Sequence, residues 1–195
     1  MGRWVLALVA ACRFTPSTIS DNEPPPHEDS PPPADASHDA TSMVPQAIVI
    51  EAESYSTKHD SSTEAWSPAT AIPSYSGTSY MQCGPDLGAY CPNDANLPTC
   101  AASMTYDLAI TTAATYDVHV RTYGANTSSD SLWYGIDGTP AADVVDFIDN
   151  GAWNWQTGAT TYTLAAGAHT LTIYQRECGA AVDVVAVTTS TTNPP

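Results

Sequence analysis

The stretch TYDVHVRTY, residues 115–123, decides the fold class because apolar and polar side chains alternate along it. Tyr116, Val118 and Val120 share one face of an extended chain, and polar side chains occupy the other. The stretch HTLTIY, residues 169–174, repeats the pattern. A period of two residues is typical of a β-strand with one buried face.

Seven further segments have strand composition and lie between turn signals such as IDGTP and AAGAH. They cover residues 47–53, 79–83, 103–109, 131–137, 144–148, 160–164 and 182–188. No stretch has sustained helical periodicity. The sequence therefore predicts an all-β protein, with one antiparallel β-sandwich over residues 47–190 and a flexible tail at 191–195.

The charge balance excludes one class of partner. The chain has 195 residues, a formal net charge of −16 and only five basic residues. No basic patch is available to neutralise phosphates, so we expect no nucleic-acid binding. The composition suits a secreted acidic protein.

The first twelve residues, MGRWVLALVAAC, resemble a bacterial lipoprotein signal. Arg3 precedes a short apolar run, and Val9 to Cys12 resemble a lipobox, whose cysteine is lipidated after cleavage. We therefore expect a signal peptide over residues 1–11, lipid on Cys12, and attachment to the bacterial cell envelope at the outer membrane or cell surface. The alternatives are a chance cysteine in an ordinary apolar N-terminus and a wrong start codon.

Residues 12–46 contain two PPP runs and many acidic and hydroxyl residues. Such a segment has too little apolar surface to offset its ordering entropy. We expect a disordered, semi-rigid tether that holds the domain, as a monomer, away from the membrane.

Four further cysteines suit two disulfides in an oxidising compartment. Three pairings are possible for Cys83, Cys91, Cys100 and Cys178. Because the first three lie within 18 residues, we favour Cys83–Cys91 and Cys100–Cys178. A zinc site is disfavoured because no CxxC pair is present.

The stretch IEAESYS, residues 50–56, places Glu51 and Glu53 two positions apart in a predicted strand. On one strand face, their carboxylates would lie roughly 7 Å apart and repel each other. Few basic residues are available to compensate, so a metal ion is a candidate. The alternative is that both glutamates face solvent.

The order of four stretches carries a family resemblance. They are IVIEAESY, TAATYDVHVRTYGANTSSDSLWYGIDGTP, WNWQTGATTYTLAAGAHTLTIYQRE and AVDVVAV. Together they resemble the jelly-roll carbohydrate-binding modules of families 6 and 35, over about residues 47–189. The resemblance implies a structural Ca²⁺ ion held by Glu51, Glu53 and Asp183, with backbone carbonyls from the following loop completing its shell.

The resemblance also implies a glycan site in which aromatic faces stack on sugar rings. Trp155, in WQT, resembles the loop tryptophan that stacks on sugar in such modules, and Trp153 shares its face. Trp66 is a candidate second wall in a loop, and Tyr80 is a weaker candidate. The alternative is that these side chains fill the core, as we expect for Trp133.

One departure from the family pattern affects this site. The polar residue that many family 6 modules carry before the last strand, commonly Asn, is replaced by Ala180 and Ala181. Arg176 and Glu177 are candidates to bind sugar hydroxyls instead, although they are also placed to pair with each other.

Three function classes follow. The first is a non-catalytic surface lipoprotein that binds a glycan or polysaccharide. The second is a structural or protein-binding module on the same scaffold. The third, a hydrolase, is disfavoured: Glu51 and Glu53 have a glycosidase-like spacing, but they cannot act if they hold calcium. No other catalytic motif is present, so we expect no enzyme.

Overall fold

The computed structural model of the chain describes residues 46–87, 91–92, 96–141, 143–189 and 194. The predicted signal peptide, Cys12 and all of the predicted tether except residue 46 lie outside these residues. Within the part of the chain that is described, no helix is long and apolar enough to cross a membrane.

Two antiparallel sheets make up most of the described part of the chain. Among the described residues, sheet A consists of β1 (Ala47–Glu51), β3 (Ala65–Ala69), β4 (Tyr80–Gly84), β6 (Ala114–Tyr123), β10 (Asn154–Thr157), β11 (Tyr162–Leu164) and β13 (Ala181–Thr188). Sheet B consists of β2 (Thr57–His59), β5 (Ser103–Ile110), β7 (Ser131–Ile136), β8 (Thr139–Pro140), β9 (Val145–Asp146) and β12 (Gly167–Gln175). The predicted β-sandwich is confirmed.

The strand order follows long-range pairing. Sheet A runs β10-β6-β13-β4-β3, with β1 paired to β13 and β11 to β6. Sheet B runs β2-β5-β12-β7-β8, with β9 paired to β7. In sheet A, β13 is hydrogen-bonded to β6 on one side and to β1 and β4 on the other.

The core lies between the inner faces of the sheets, as the alternation predicts. Tyr116, Val118 and Val120 of β6 are fully buried. They pack with Leu171 and Ile173 of β12 in one hydrophobic cluster. The other faces of these strands therefore remain for polar and functional side chains.

The predicted turn at IDGTP is a two-residue β-hairpin. Asp137 and Gly138 connect β7 to β8, with φ of 52° and 73°. Two successive positive φ angles are typical of the type I′ turn, which the Asp-Gly sequence favours.

The first strand is shorter than predicted. It ends at Glu51, and residues Ala52–Ser54 form one turn of 3-10 helix. The assumption that Glu51 and Glu53 share a strand face is therefore wrong. Tyr106 holds the turn, because its hydroxyl donates to the Ala52 carbonyl oxygen (3.0 Å).

The favoured disulfide pairing is also wrong, because the bonds join Cys83 to Cys178 and Cys91 to Cys100. The reason is strand pairing: the Cys83 N–H donates to Ala180, and the Gly179 N–H donates to Cys83. These bonds bring the Cα atoms of Cys83 and Cys178 within 4.7 Å, although they are 95 residues apart.

The second disulfide lies on the outer face of sheet B, next to Tyr174 and Trp133. It ends at α1 (Leu97–Cys100), a single helical turn that the sequence did not predict. Leu97 packs on Tyr174 in a small cluster separate from the main core. Trp133 lies against this cluster, and its Nε1–H donates to the Cys91 carbonyl oxygen (2.9 Å). Trp133 is half-buried and lies outside the main core, so the expectation that it fills the core is wrong.

Candidate functional site

An aromatic cluster lies on the outer face of sheet A. The inner face of β6 carries Val118 and Val120, so strand alternation places Arg121 and Tyr123 on the outer face. In β10, Trp155 is the register partner of Arg121. Trp153 immediately precedes β10 and contacts the Tyr123 ring at a centroid distance of 5.5 Å.

Ring contacts and a hydrogen bond hold the Trp153 side chain in place. Its ring meets the Tyr80 ring edge-on at 5.2 Å, and Tyr80 in turn meets Tyr75 at 5.7 Å. The Trp153 Nε1–H donates to the Pro73 carbonyl oxygen (3.0 Å). These contacts fix the indole while leaving it partly exposed.

The exposed part of Trp153 faces a cleft of about 350 Å³. Residues 72–74 form one wall, and Gly151 and Ala152 form another; Arg121, Tyr123 and Trp153 complete the lining. The Arg121 guanidinium lies 5.8 Å from the Trp153 ring centroid. The site thus combines a flat apolar surface, a cation and backbone groups.

Trp155 lines a different depression, of about 460 Å³, on the same sheet face. Its other lining residues are Val49, Glu51, Ser76, Arg121 and Val184. Val49 is 50% exposed, so this depression is open and apolar on one side. Arg121 lines both depressions, and the two tryptophans do not form a single platform.

Arg121 is anchored at two points. Its Nη1 forms an ion pair with Asp183 Oδ2, and its Nη2 donates to the Ser74 carbonyl oxygen (3.2 Å). Asp183 has no exposed surface and lies at a bulge in β13, between Val182 and Val184. Arg121 therefore connects Asp183, on the central strand of sheet A, to Ser74 in the wall of the Trp153 cleft.

The loop of residues 74–79 gathers all three carboxylates predicted to bind metal. Ser76 donates from its backbone N–H to Asp183 Oδ1 (2.9 Å) and from its hydroxyl to Glu51 Oε2 (2.6 Å). Glu53 Oε1 accepts from the N–H (2.8 Å) and the hydroxyl (3.0 Å) of Thr78.

Gly77 is required where this loop approaches the glutamates. Its φ is +66°, and a Cβ atom there would lie 2.5 Å from Glu53 Oε1 and 3.1 Å from Glu51 Oε2. A side chain at this position would enter the space between the two carboxylates. The other oxygen of Glu53, Oε2, is buried and has no hydrogen-bond partner among the described residues.

The pKa values of Glu53 and Asp183 are shifted in opposite directions. Burial opposes ionisation of Glu53, but hydrogen bonds from Thr78 and Ser79 outweigh it and hold its pKa below the ordinary value. Burial raises the pKa of Asp183; Ser76 and Arg121 offset this only partly, and the charge of Glu51 adds to it. A further cation would stabilise the ionised form of Asp183.

Glu53 fits a cation through its buried, unpartnered Oε2, and Glu51 Oε2 lies close to the same glycine, Gly77. Asp183 fits less well, because the Ser76 N–H and Arg121 occupy its two oxygens. Across the described residues, no group of three or more His, Cys, Asp or Glu side chains is arranged to hold a metal ion. The calcium site therefore stays a prediction.

Several predicted sugar-binding residues lie away from the Trp153 cleft. The prediction for Trp66 is wrong: it lies in β3 with 0% exposure, and its Nε1–H donates to Ala102. Tyr80 is fully buried and supports Trp153 instead of lining the cleft. Arg176 pairs with Glu177 (2.8 Å) beside Trp133, and neither lines the cleft.

Sequence reasoning missed Tyr123, Tyr75 and the wall at residues 72–74. Tyr123 had a usable signal, because it lies two residues after Arg121 in a predicted strand and so shares its face. The wall had none, since the loop after β3 reaches the cleft only through tertiary contacts.

No family model matches the sequence, and no curated protein is significantly similar to it. Solved structures do match, and three of them have a TM-score of 0.54. A family 35 carbohydrate-binding module from Clostridium thermocellum is 15% identical, covering 73% of this chain and 97% of that one. A family 35 module from Paenibacillus barcinonensis is 22% identical, covering 73% and 99%.

The chain also matches a β-(1,4)-mannanase of Podospora anserina that combines a family 26 glycoside hydrolase with a family 35 module. The identity is 21%, and the match covers 76% of this chain but only 29% of the mannanase. The predicted family resemblance is therefore confirmed at the level of the fold.

Proposed function

We propose that the domain is a non-catalytic carbohydrate-binding module that holds a glycan or polysaccharide in the Trp153 cleft. In this proposal the domain is tied to the bacterial cell envelope through lipid on Cys12. One observation supports glycan binding in this cleft. The Trp153 indole is partly exposed, is fixed by Tyr80, Tyr123 and Pro73, and lies beside the anchored Arg121. The similarity of the fold to family 35 carbohydrate-binding modules supports this role.

The chemistry of the cleft suits a sugar ring. An indole face buries the apolar C–H patch of a pyranose, and the adjacent donors fix its hydroxyls. Arg121 supplies N–H donors, and residues 72–74 supply backbone groups at the wall. Because Arg121 and the indole are held in place before binding, little conformational entropy is lost when the sugar binds.

A structural Ca²⁺ ion belongs to the same proposal. Glu51 and Glu53 would hold it, with carbonyl oxygens of the adjoining loop, and Asp183 would act through its charge. The ion would fix the loop of residues 74–79, which carries one wall of the cleft. It would take no part in any reaction, because the proposal includes no catalysis.

The test is a binding screen of soluble polysaccharides, including β-1,4-mannan and xylan, on the domain with calcium present. We expect binding that falls about 30-fold in Trp153→Ala, since a buried aromatic anchor is worth ~2 kcal/mol or more. Trp155→Ala is the matched control, because Trp155 lines the other depression. It should retain binding.

Two results would contradict the proposal. If no polysaccharide binds the folded wild-type domain, glycan binding is ruled out for the screened classes. If Trp155→Ala loses binding while Trp153→Ala keeps it, the site lies in the open depression beside Val49. A cooperative thermal unfolding transition in both variants would establish that the fold is intact.

A further inference from the structure

In addition to the Trp153 cleft and the Trp155 depression, the outer face of sheet A has a further concave site, which we name the second site. It has a volume of about 330 Å³ and is formed by strands β3 and β4, Asp86 and the turn before β13. Its lining residues are Ser67, Pro68, Ala69, Gln82, Cys83, Gly84, Asp86 and Gly179. No aromatic side chain lines it, so its chemistry differs from that of the cleft.

Strand register fixes the distance between the two sites. Gln82 of β4 pairs with Ala181 of β13, and Ala181 pairs with Tyr123 of β6. Gln82 and Tyr123 are therefore two strand spacings apart, about 10 Å between Cα atoms. Gln82 also lies on the same face of β4 as Tyr80, whose ring contacts Trp153. A glycan chain can span a separation of this order, with different sugar residues in the two sites.

The walls of the second site are rigid. The Gln82 Nε2 amide donates to the Gly179 carbonyl oxygen (3.3 Å), and the Gly179 N–H donates to Cys83 (2.9 Å). The Cys83–Cys178 disulfide links the same two segments covalently. Polar groups held this firmly lose little freedom when a ligand binds.

The polar groups of the site suit hydroxyl recognition. Asp86 offers a carboxylate, and its Oδ2 also accepts from the Ser129 hydroxyl (3.2 Å). Gln82 Oε1 and the Ser67 hydroxyl form no hydrogen bond among the described residues and face an exposed surface. An ionised carboxylate, an amide oxygen and a hydroxyl are acceptors and donors that match a neutral polyol.

Two glycines shape the second site. At Gly179 a Cβ atom would lie 2.5 Å from the Ser129 hydroxyl and 3.2 Å from Asp86 Oδ2, so the turn can approach Asp86 only without a side chain. At Gly84 a Cβ atom would meet nothing within 4 Å. A side chain at position 84 would therefore occupy the pocket without displacing the protein.

We propose that the pocket of Ser67, Gln82, Gly84 and Asp86 is a second sugar subsite, which binds the hydroxyls of a glycan residue next to the one stacked on Trp153. The proposal rests on the function proposed above and deepens it: the ligand class becomes a neutral oligo- or polysaccharide, recognised over at least two connected residues. A monosaccharide fills only the Trp153 cleft.

The experiment is isothermal titration of the domain with manno-oligosaccharides and xylo-oligosaccharides of increasing length, starting from the monosaccharide. In the wild type we expect affinity to rise about tenfold with length, the gain of hydrogen bonds to a charged acceptor. Gly84→Val should abolish this gain and leave monosaccharide affinity unchanged. Ala109→Val, on the outer face of sheet B, is the matched control for added bulk and should behave as the wild type.

A second variant tests the subsite without adding bulk that could disturb the fold. Asp86→Asn keeps the size of the side chain and removes its charge, so it should reduce the gain with length without altering the melting temperature. An equal length dependence in the wild type, Gly84→Val and Asp86→Asn overturns the subsite and leaves the Trp153 cleft standing. No binding of any glycan to the folded wild type overturns the proposed function and the subsite together.

Discussion

At the scale of single residues, Asp137 combines a turn conformation with a charge pair. Its Oδ1 accepts from the Thr170 N–H (2.9 Å), and its Oδ2 contacts His169 Nδ1 at 2.7 Å. The hydrogen bond to Asp137 raises the pKa of His169, and the Ala165 carbonyl adds to this effect. The pair links the β7–β8 hairpin to the start of β12.

We expect Asp137→Asn to lower the pKa of His169 toward its ordinary value of 6.5. Asparagine tolerates positive φ, so the turn persists and only the charge is lost. Because the folded pKa of His169 is raised, the contribution of this shift to stability is present below pH 6.5 and is lost as pH rises through the folded pKa. For so exposed a pair, the contribution is only ~0.5 kcal/mol.

The measurement is an NMR titration of the His169 ring in both proteins. The ring signals of His59, in β2 and away from the substitution, provide the internal control. An identical His169 titration in the wild type and the variant would refute the assignment of the raised pKa to Asp137.

The sequence does not distinguish a tryptophan in the binding cleft from a tryptophan in the core. Trp153 and Trp66 look alike in sequence, yet one is partly exposed and the other lies in the core. The difference depends on which face of each strand meets the other sheet, and AWSPA has too little alternation to reveal that. Trp153 was predicted because it stands two residues before Trp155, which places both side chains on one face of an extended chain.

At the scale of elements, alternation predicted the long strands well. The segments that became β5, β6, β12 and β13 carry uninterrupted apolar alternation or dense valine, and their predicted bounds are close to those observed. Short edge elements were missed: β2 is fully exposed, and β8 contains two residues. Tertiary pairing, not local pattern, defines such elements.

The disulfides show the same limit for long-range contacts. Spacing in the chain favoured a local bond at Cys83, but strand pairing between β4 and the turn before β13 decided otherwise. Neighbours across a sheet can be distant in sequence, so spacing alone does not determine connectivity.

The two disulfides should differ in their effect on stability. Cys83–Cys178 closes a loop of 95 residues and Cys91–Cys100 a loop of nine. Chain entropy predicts stabilisation of about 4.7 kcal/mol for the long loop and about 2.5 kcal/mol for the short one. We therefore expect the double variant Cys83→Ala/Cys178→Ala to lose more stability than Cys91→Ala/Cys100→Ala.

The measurement is the free energy of unfolding from urea titrations of both double variants. Each variant removes two sulfurs, all buried except that of Cys100, which is half-buried, and each double variant serves as the other's control. Equal losses, or a larger loss for the short loop, would contradict the entropic argument.

At the scale of the whole molecule, the sandwich joins the carboxylates to the cleft. Glu51 and Asp183 come from paired strands, β1 and β13, and the loop of residues 74–79 connects them to the cleft wall. The sequence predicted that these carboxylates meet only through the family resemblance. Neither the loop nor the Arg121–Asp183 ion pair follows from a local pattern.

A calcium ion between these elements would stabilise the entire fold, because it binds the native state and not the separated strands. At ~100 times its Kd the ion contributes about 2.7 kcal/mol. For a domain of this size, that corresponds to a melting temperature ~5–10 °C higher than in EDTA. We expect this shift in the wild type, measured by differential scanning calorimetry.

Two variants test where the calcium ion binds. Glu53→Gln keeps an oxygen that accepts from Thr78 but removes the charge and leaves a poorer ligand at the buried Oε2 position, so its melting temperature should be nearly the same with calcium and with EDTA. Glu177→Gln removes a carboxylate of the same type beside Arg176 and should keep the full shift. A wild type that melts at one temperature in calcium and in EDTA would remove calcium from the proposal. The loop of residues 74–79 would then depend on Ser76, Thr78 and the Arg121–Asp183 ion pair.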